Sequence, residues 1–184
     1  MLTGGTSRRM GRTKALIDVD GAPMAARVAR ALSDAGCAPV LAYGGDPAEL
    51  SPIGLPVLAD RSPGAGPLGA VLGLLERYER NHGDTWLFVV ACDLPWLTGR
   101  DLAPMVEAAH RYPGAEVVVA RTASVEPTCA IWRAAAAAAP VRASFEAGER
   151  AVHVVIERLE SIEVELDATA LRNINTPADL DRYP

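Results

Sequence analysis

The residues best suited to chemistry open this 184-residue chain: Leu2-Thr3-Gly4-Gly5-Thr6-Ser7-Arg8-Arg9-Met10-Gly11-Arg12-Thr13-Lys14. Glycines carry no Cβ, so backbone N–H groups beside them can close on phosphate oxygens. Arg9 and Lys14 add the positive charge that phosphoryl or nucleotidyl transfer needs as charge moves onto a leaving group. This is not a Walker A loop, because Arg12 stands where that pattern has its lysine. Asp93 lies in Val89-Val90-Ala91-Cys92-Asp93-Leu94-Pro95, which puts a carboxylate at the expected C-terminal end of a buried strand. Ligands bind at that end in open α/β sheets, and a hard oxygen donor there suits Mg²⁺, which keeps waters and bridges phosphates. Asp60 ends another apolar run just before Pro63-Gly64-Ala65-Gly66-Pro67-Leu68-Gly69. Asn173 and Asn175 alternate ahead of Thr176-Pro177-Ala178-Asp179, a helix start with a cap, a first-turn proline and an acid. Both amides are therefore candidates to project into a cleft.

Positioning these groups requires strands that end where the loops begin. Strands are expected over Ala38–Tyr43, Leu55–Ala59, Trp86–Ala91, Glu116–Ala120 and Cys129–Trp132, all short apolar runs bounded by polar residues. Helical patterns fall between and after them, over Ala22–Asp34, Gly69–Asn81, Gly99–Tyr112 and Arg150–Glu160. The alanine run 134–139 reads as a further helix, stopped by Pro140. Such alternation predicts an α/β fold, a Rossmann-like three-layer sandwich with a mainly parallel sheet. The length fits one domain over residues 1–184. Only Met1–Thr3 precede the glycine loop, so the first strand is expected to be a stub or to lack residues upstream of Met1.

Composition narrows the function. The 23 acidic residues outnumber 18 Lys and Arg, a net charge of −5, whereas sequence-independent nucleic-acid binders are normally basic. No apolar run approaches the ~20 residues of a membrane span. Cys37, Cys92 and Cys129 are an odd, widely spaced set that fits a reducing cytoplasm better than a disulfide framework or zinc site. Residues 64–69 match GxGxxG, but Asp60–Pro63 separate the motif from its strand and Pro67 removes a backbone donor, so a dinucleotide-binding reading is weak. His82, His110 and His153 lack acid, Ser or Cys partners in pattern and are expected to be structural.

Taken in order, LTGGTSRRMGRTKALI, Asp60 with GPLG, VVACDLP, EPTCAIW and NINTPADL closely resemble the molybdenum cofactor guanylyltransferases, which attach GMP to molybdopterin. The resemblance runs over nearly the whole chain. It implies a nucleotide-diphospho-sugar transferase-like fold, with GTP and molybdopterin as substrates and Mg²⁺ as cofactor. Leu2, Thr3 and Gly4 are then expected to meet the guanine nucleotide through backbone, and Gly5, Arg9 and Lys14 to face its phosphates. Asp60 would help bind the nucleoside, Asp93 would hold Mg²⁺ and nucleotide, and Asn173 and Asn175 would lie on the pterin side. The chain departs from the family's GPLAG at Gly66-Pro67-Leu68-Gly69-Ala70, and has Ala42 near where some members carry a nucleotide-contacting Asn.

The expected reaction is attack of the acceptor's terminal phosphate on the α-phosphorus of GTP, with pyrophosphate leaving. Arg9, Lys14 and Asp93 are the catalytic candidates. Alternatives are a cytidylyltransferase on the same cofactor, a guanylyltransferase for another phosphorylated acceptor, or an inactive nucleotide-binding protein that delivers cofactor to a molybdoenzyme. No nucleic-acid or membrane partner is expected.

Overall fold

Asp20-Gly21 sets the first turn of the fold. Both residues have positive φ (51° and 81°), as a two-residue hairpin turn requires, and the Gly21 N–H donates to the Asp18 carboxylate at 2.9 Å. The flanking residues pair antiparallel as β1 (Asp18–Val19) and β2 (Ala22–Pro23). The helix expected from Ala22 therefore starts later, as α1 (Met24–Asp34), with Pro23 outside it as the N-cap. Its buried residues Met24, Ala25, Val28, Ala29, Ala31 and Leu32 form one helical stripe.

The computed structural model describes residues 1–4, 13–175 and 179. These divide into two compact units, one of Met1–Ala59, Ala91–Leu102 and Asp167–Pro184, the other of Asp60–Val90 and Ala103–Leu166. In the first unit β3 (Ala42–Tyr43) pairs in parallel with β4 (Val57–Leu58). Both are shorter than expected. Leu2 makes a parallel bridge to Tyr43 on one side and to Ala91 on the other. Tyr43 N–H donates to the Met1 carbonyl at 2.8 Å, and Cys92 N–H to the Leu2 carbonyl at 3.1 Å. Short α2 (Pro47–Leu50) is capped by Asp46, whose carboxylate accepts from Ala48 N–H at 2.8 Å. A small core of Ile17, Val19, Met24 and Ile174, with Trp96 packed on it, lies under the loops.

The second unit carries a four-stranded sheet in the order β5 (Trp86–Val90), β7 (Val125–Arg133), β6 (Val117–Arg121), β8 (Ser161–Glu165). β5, β6 and β8 run the same way and β7 is reversed. The reversal is forced locally: only Thr122–Ser124 join β6 to β7, and a parallel crossover needs a dozen residues or more. Pro127 is tolerated inside β7 because the register to β6 shifts there, Val119 pairing with Ala130 and Ala120 with Glu126. β8 was not expected; its Ser-Ile-Glu-Val-Glu alternation is the strand signal, overlooked beside the helical pattern before it.

α5 (Ala134–Glu146) passes through Pro140 instead of stopping, with Ala134, Ala137, Ala138 and Val141 buried on both sides of the proline. Apolar burial thus outweighs the one lost backbone bond. The helix expected over Arg150–Glu160 contracts to α6 (Val152–Ile156). α3 (Gly66–His82) begins earlier than expected, with Pro67 in its first turn. The GxGxxG match therefore ends inside a helix, where a Cβ on Gly69 would lie 2.5 Å from the Ala65 Cβ and 3.4 Å from the Phe145 ring. That glycine allows close packing against Ala65 and Phe145.

α4 (Gly99–Arg111) contributes its first turn to the first unit and the remainder to the second. Thr98 and Asp101 cap it reciprocally, Thr98 N–H donating to the Asp101 carboxylate at 2.9 Å and Asp101 N–H to the Thr98 hydroxyl at 3.4 Å. Gly99 is pressed against the end of α1: a Cβ there would sit 2.6 Å from the Asp34 Cβ. No described helix is long and apolar enough to cross a membrane.

Candidate active site

Lys14 opens a single 3₁₀ turn, Lys14–Leu16, that leaves the glycine-rich stretch. Thr13 just before it is tied down by its hydroxyl, which donates to the Glu49 carboxylate on α2. The Lys14 ammonium donates to Asp93 Oδ2 at 2.6 Å and to Asn175 Oδ1 at 2.7 Å. Residues from the start, middle and end of the chain thus share one cation. The pair is partly shielded from water, with side-chain exposures of 21% for Lys14 and 16% for Asp93.

Asp93 is held from several directions. Its carbonyl accepts from Ile174 N–H at 3.0 Å, and the preceding N–H, of Cys92, is bonded to Leu2. The loop beyond it is buttressed by Arg27 of α1, whose Nε donates to the Pro95 carbonyl at 2.9 Å and whose Nη1 donates to the Val19 carbonyl at 3.2 Å. Asp20 pairs with the same guanidinium at 3.4 Å. Leu94 and Leu97 are buried beneath the loop. These contacts are those of a carboxylate held in a fixed direction.

The second carboxylate oxygen, Asp93 Oδ1, is buried and has no hydrogen-bond partner among the described residues. Such an orphan costs about 1–3 kcal/mol unless something satisfies it. A divalent cation suits that unmet acceptor. The described residues contain no cluster of three or more His, Cys, Asp or Glu. A single carboxylate is enough for Mg²⁺, which takes the rest of its shell from water and substrate phosphates.

Leu2, Thr3 and Gly4 sit at the start of the same unit. The N–H groups of Thr3 and Gly4 both donate to the Tyr43 carbonyl, at 2.9 and 3.1 Å, and the buried Thr3 hydroxyl donates to the Gly44 carbonyl at 2.7 Å. Any backbone contact from Thr3 and Gly4 to a base therefore falls to their carbonyls. Sequence reasoning passed over the other half of this arrangement, the Gly44-Gly45 turn after β3, with φ of 79° and 85°. The tandem glycine after an apolar run was its signal. A Cβ on Gly45 would meet Leu50 at 2.8 Å.

Ile174 is fully buried, and Asn173 and Asn175 on either side of it are exposed. Asn175 N–H donates to the Asp179 carboxylate at 2.9 Å. Asp60 belongs to the second unit, and its carboxylate accepts from Ser62 N–H at 2.9 Å, the bond of a turn cap. Gly5 and Arg9 lie outside the described residues, as does the helix start at Thr176, Pro177 and Ala178. The three histidines belong to the second unit, whereas Lys14 and Asp93 belong to the first. Cys92, next to Asp93, is pushed up to about 12 by burial and then by the Asp93 charge, so its thiol stays protonated and is no nucleophile.

A lysine on an aspartate beside a glycine-rich loop is chemistry for phosphate, and the wider comparison agrees. Residues 1–162 match the MobA-like NTP transferase domain. The chain belongs to that family. One relative of this MobA-like chain, the molybdenum cofactor guanylyltransferase of Cereibacter sphaeroides, is 36% identical over 184 residues, which cover 99% of this chain and 92% of that protein. The crystal structure of molybdopterin-guanine dinucleotide biosynthesis protein A from Archaeoglobus fulgidus matches with a TM-score of 0.75 at 21% identity, over 98% of this chain and 93% of that one. The 2-C-methyl-D-erythritol 4-phosphate cytidylyltransferase from Thermus thermophilus matches with a TM-score of 0.71 at 19% identity, over 98% and 94%. At those identities the two structures speak for the fold, and it is the α/β nucleotidyltransferase fold expected from the sequence.

Proposed function

We propose that this chain transfers GMP from GTP to molybdopterin, releasing pyrophosphate and forming the guanine dinucleotide form of the cofactor. The observation that carries the reading is the shared hold of Lys14 by Asp93 and Asn175, at 2.6 and 2.7 Å, in a chain of the MobA-like family. An oxygen of the acceptor's terminal phosphate forms a bond to the α-phosphorus of GTP. The bond from the α-phosphorus to the bridging oxygen breaks, and pyrophosphate leaves with the electron pair. No side-chain base is required, because the attacking phosphate is already anionic.

The protein's contribution is positioning and charge. Lys14 donates to phosphate oxygens on the leaving side. The family resemblance assigns Gly5 and Arg9 to the same phosphates, and Leu2, Thr3 and Gly4 to the base through backbone. The family resemblance assigns Asp60 to nucleoside binding and Asn173 to the acceptor. Mg²⁺ is held by Asp93 and, when bound, supplies a Lewis acid for phosphate oxygens. The whole chain works as one nucleotidyltransferase domain, in the cytoplasm, with nucleic acid and membrane playing no part. The free thiols of Cys37, Cys92 and Cys129 support that compartment. The product is handed to molybdoenzymes or their maturation partners.

The test is pyrophosphate release from purified protein with Mg²⁺, GTP or CTP, with and without molybdopterin. GTP-specific release that depends on molybdopterin is the expected result. Preference for CTP would make the chain a cytidylyltransferase on the same acceptor. Tight nucleotide binding without release from either nucleotide would make it a carrier.

A further inference from the structure

Asn173 and Asn175 look equivalent in sequence, two amides flanking one isoleucine. Their surroundings separate them. Asn175 carries a side-chain oxygen 2.7 Å from the Lys14 ammonium. A lysine ammonium only donates, so the amide group facing it must be the carbonyl oxygen. Its backbone is fixed on both sides: Ile174 N–H donates to the Asp93 carbonyl at 3.0 Å, and Asn175 N–H to the Asp179 carboxylate at 2.9 Å. The segment is thus registered against the same residue whose side chain takes Lys14.

We infer that Asn175 is a positioning residue for Lys14, acting on the nucleotide side of the reaction and not as a contact to the acceptor. This rests on the reading of the chain as a nucleotidyltransferase. The two oxygens that hold Lys14 differ in charge. Asp93 cancels the ammonium's charge while it holds it; Asn175 holds the ammonium and leaves its charge intact. A triphosphate that draws on Lys14 must take it away from Asp93. Asn175 keeps the ammonium in place through that exchange, because a neutral acceptor does not compete with phosphate for the charge. Without it, Lys14 has four flexible methylenes and one strong partner, and collapses onto Asp93.

The experiment measures GTP binding by calorimetric titration in the presence of Mg²⁺ and the absence of molybdopterin, for the wild type, Asn175→Ala and Asn175→Asp. Leaving out the acceptor removes any acceptor contact from the readout. Asn175→Ala is expected to weaken GTP binding about tenfold, the scale of one hydrogen bond to a charged group. Asn175→Asp keeps the hold on Lys14 but adds a second carboxylate beside the phosphates. It should weaken GTP at least as much as alanine does, with a melting temperature at or above that of the wild type. A merely structural asparagine would instead lose binding in step with melting temperature, which would overturn the inference. So would wild-type GTP binding in both variants with a raised KM for molybdopterin, which would return Asn175 to the acceptor. A wild-type protein that binds neither GTP nor CTP would remove the proposed function itself, and this inference with it.

Discussion

The two units are built by different means. In the second, β5, β6, β7 and β8 run five to nine residues each, and Val117, Val118, Val119, Ala130 and Trp132 are buried in the sheet with at most a trace of exposure. In the first, β1, β2, β3 and β4 are two residues long, and the loops between them are held by hydrogen bonds to carbonyls, carboxylates and the Arg27 guanidinium. The contacts of Lys14 with Asp93 and Asn175 lie in the unit with the short strands. Apolar burial is non-directional and roughly proportional to area, so it makes a good anchor and a poor aiming device. Hydrogen bonds to fixed carbonyls do the aiming.

That contrast is easiest to break at Trp132. Trp132→Ala is expected to cost about 3–5 kcal/mol of stability, the range for emptying a large aromatic from a core, measured by urea unfolding. Trp132→Phe should cost much less, because the buried indole N–H has no partner among the described residues and its removal leaves nothing unpaired. A loss below about 1 kcal/mol for the alanine variant would mean that the sheet is not where stability is stored. At the other pole, Lys14→Ala and Asp93→Ala should each lower kcat by a factor of about 10²–10³ or more while leaving cooperative unfolding in place. Near-normal turnover in either would dissolve the site.

The cysteines sharpen the comparison at its smallest scale. Burial holds both Cys92 and Cys129 up to about 12, against an ordinary thiol value of 9.0. A native chain should therefore give up at most Cys37 to a thiol reagent at once, and all three after unfolding. Cys92 sits among two-residue strands and Cys129 in the long sheet, so Cys92 should react before Cys129 under native conditions. Equal rates would argue that both units open together. The raised values also set a pH limit. An unfolded thiol ionises near 9 and these two only near 12, so the folded state's advantage is full below pH 9 and declines as pH rises from 9 towards 12.

Much of this was legible in the residues. Trp86–Val90 is a continuous apolar strand and Val117–Arg121 opens with the apolar run 117–120, and the carboxylate after Val89-Val90-Ala91-Cys92 marks a strand end whatever the fold's details. Other features depend on partners that lie far away in sequence. Lys14 and Asn175 are 161 positions apart, and no local pattern foretells that contact. α5 continues past Pro140 because its buried face offsets the missing bond, which propensity alone cannot weigh. The hairpin at Asp20-Gly21 was readable from its turn residues, but the helical periodicity that follows drew the boundary two residues early.

The most direct test of the central claim follows the α-phosphate. GTP labelled at the α-phosphorus is incubated with Mg²⁺, molybdopterin and either the wild type or Asp93→Asn, and label in the acceptor product is counted. The account predicts transfer of label by the wild type and a loss of about 10²-fold or more in the variant. Undiminished transfer by Asp93→Asn, or no labelled product from the wild type, would contradict it.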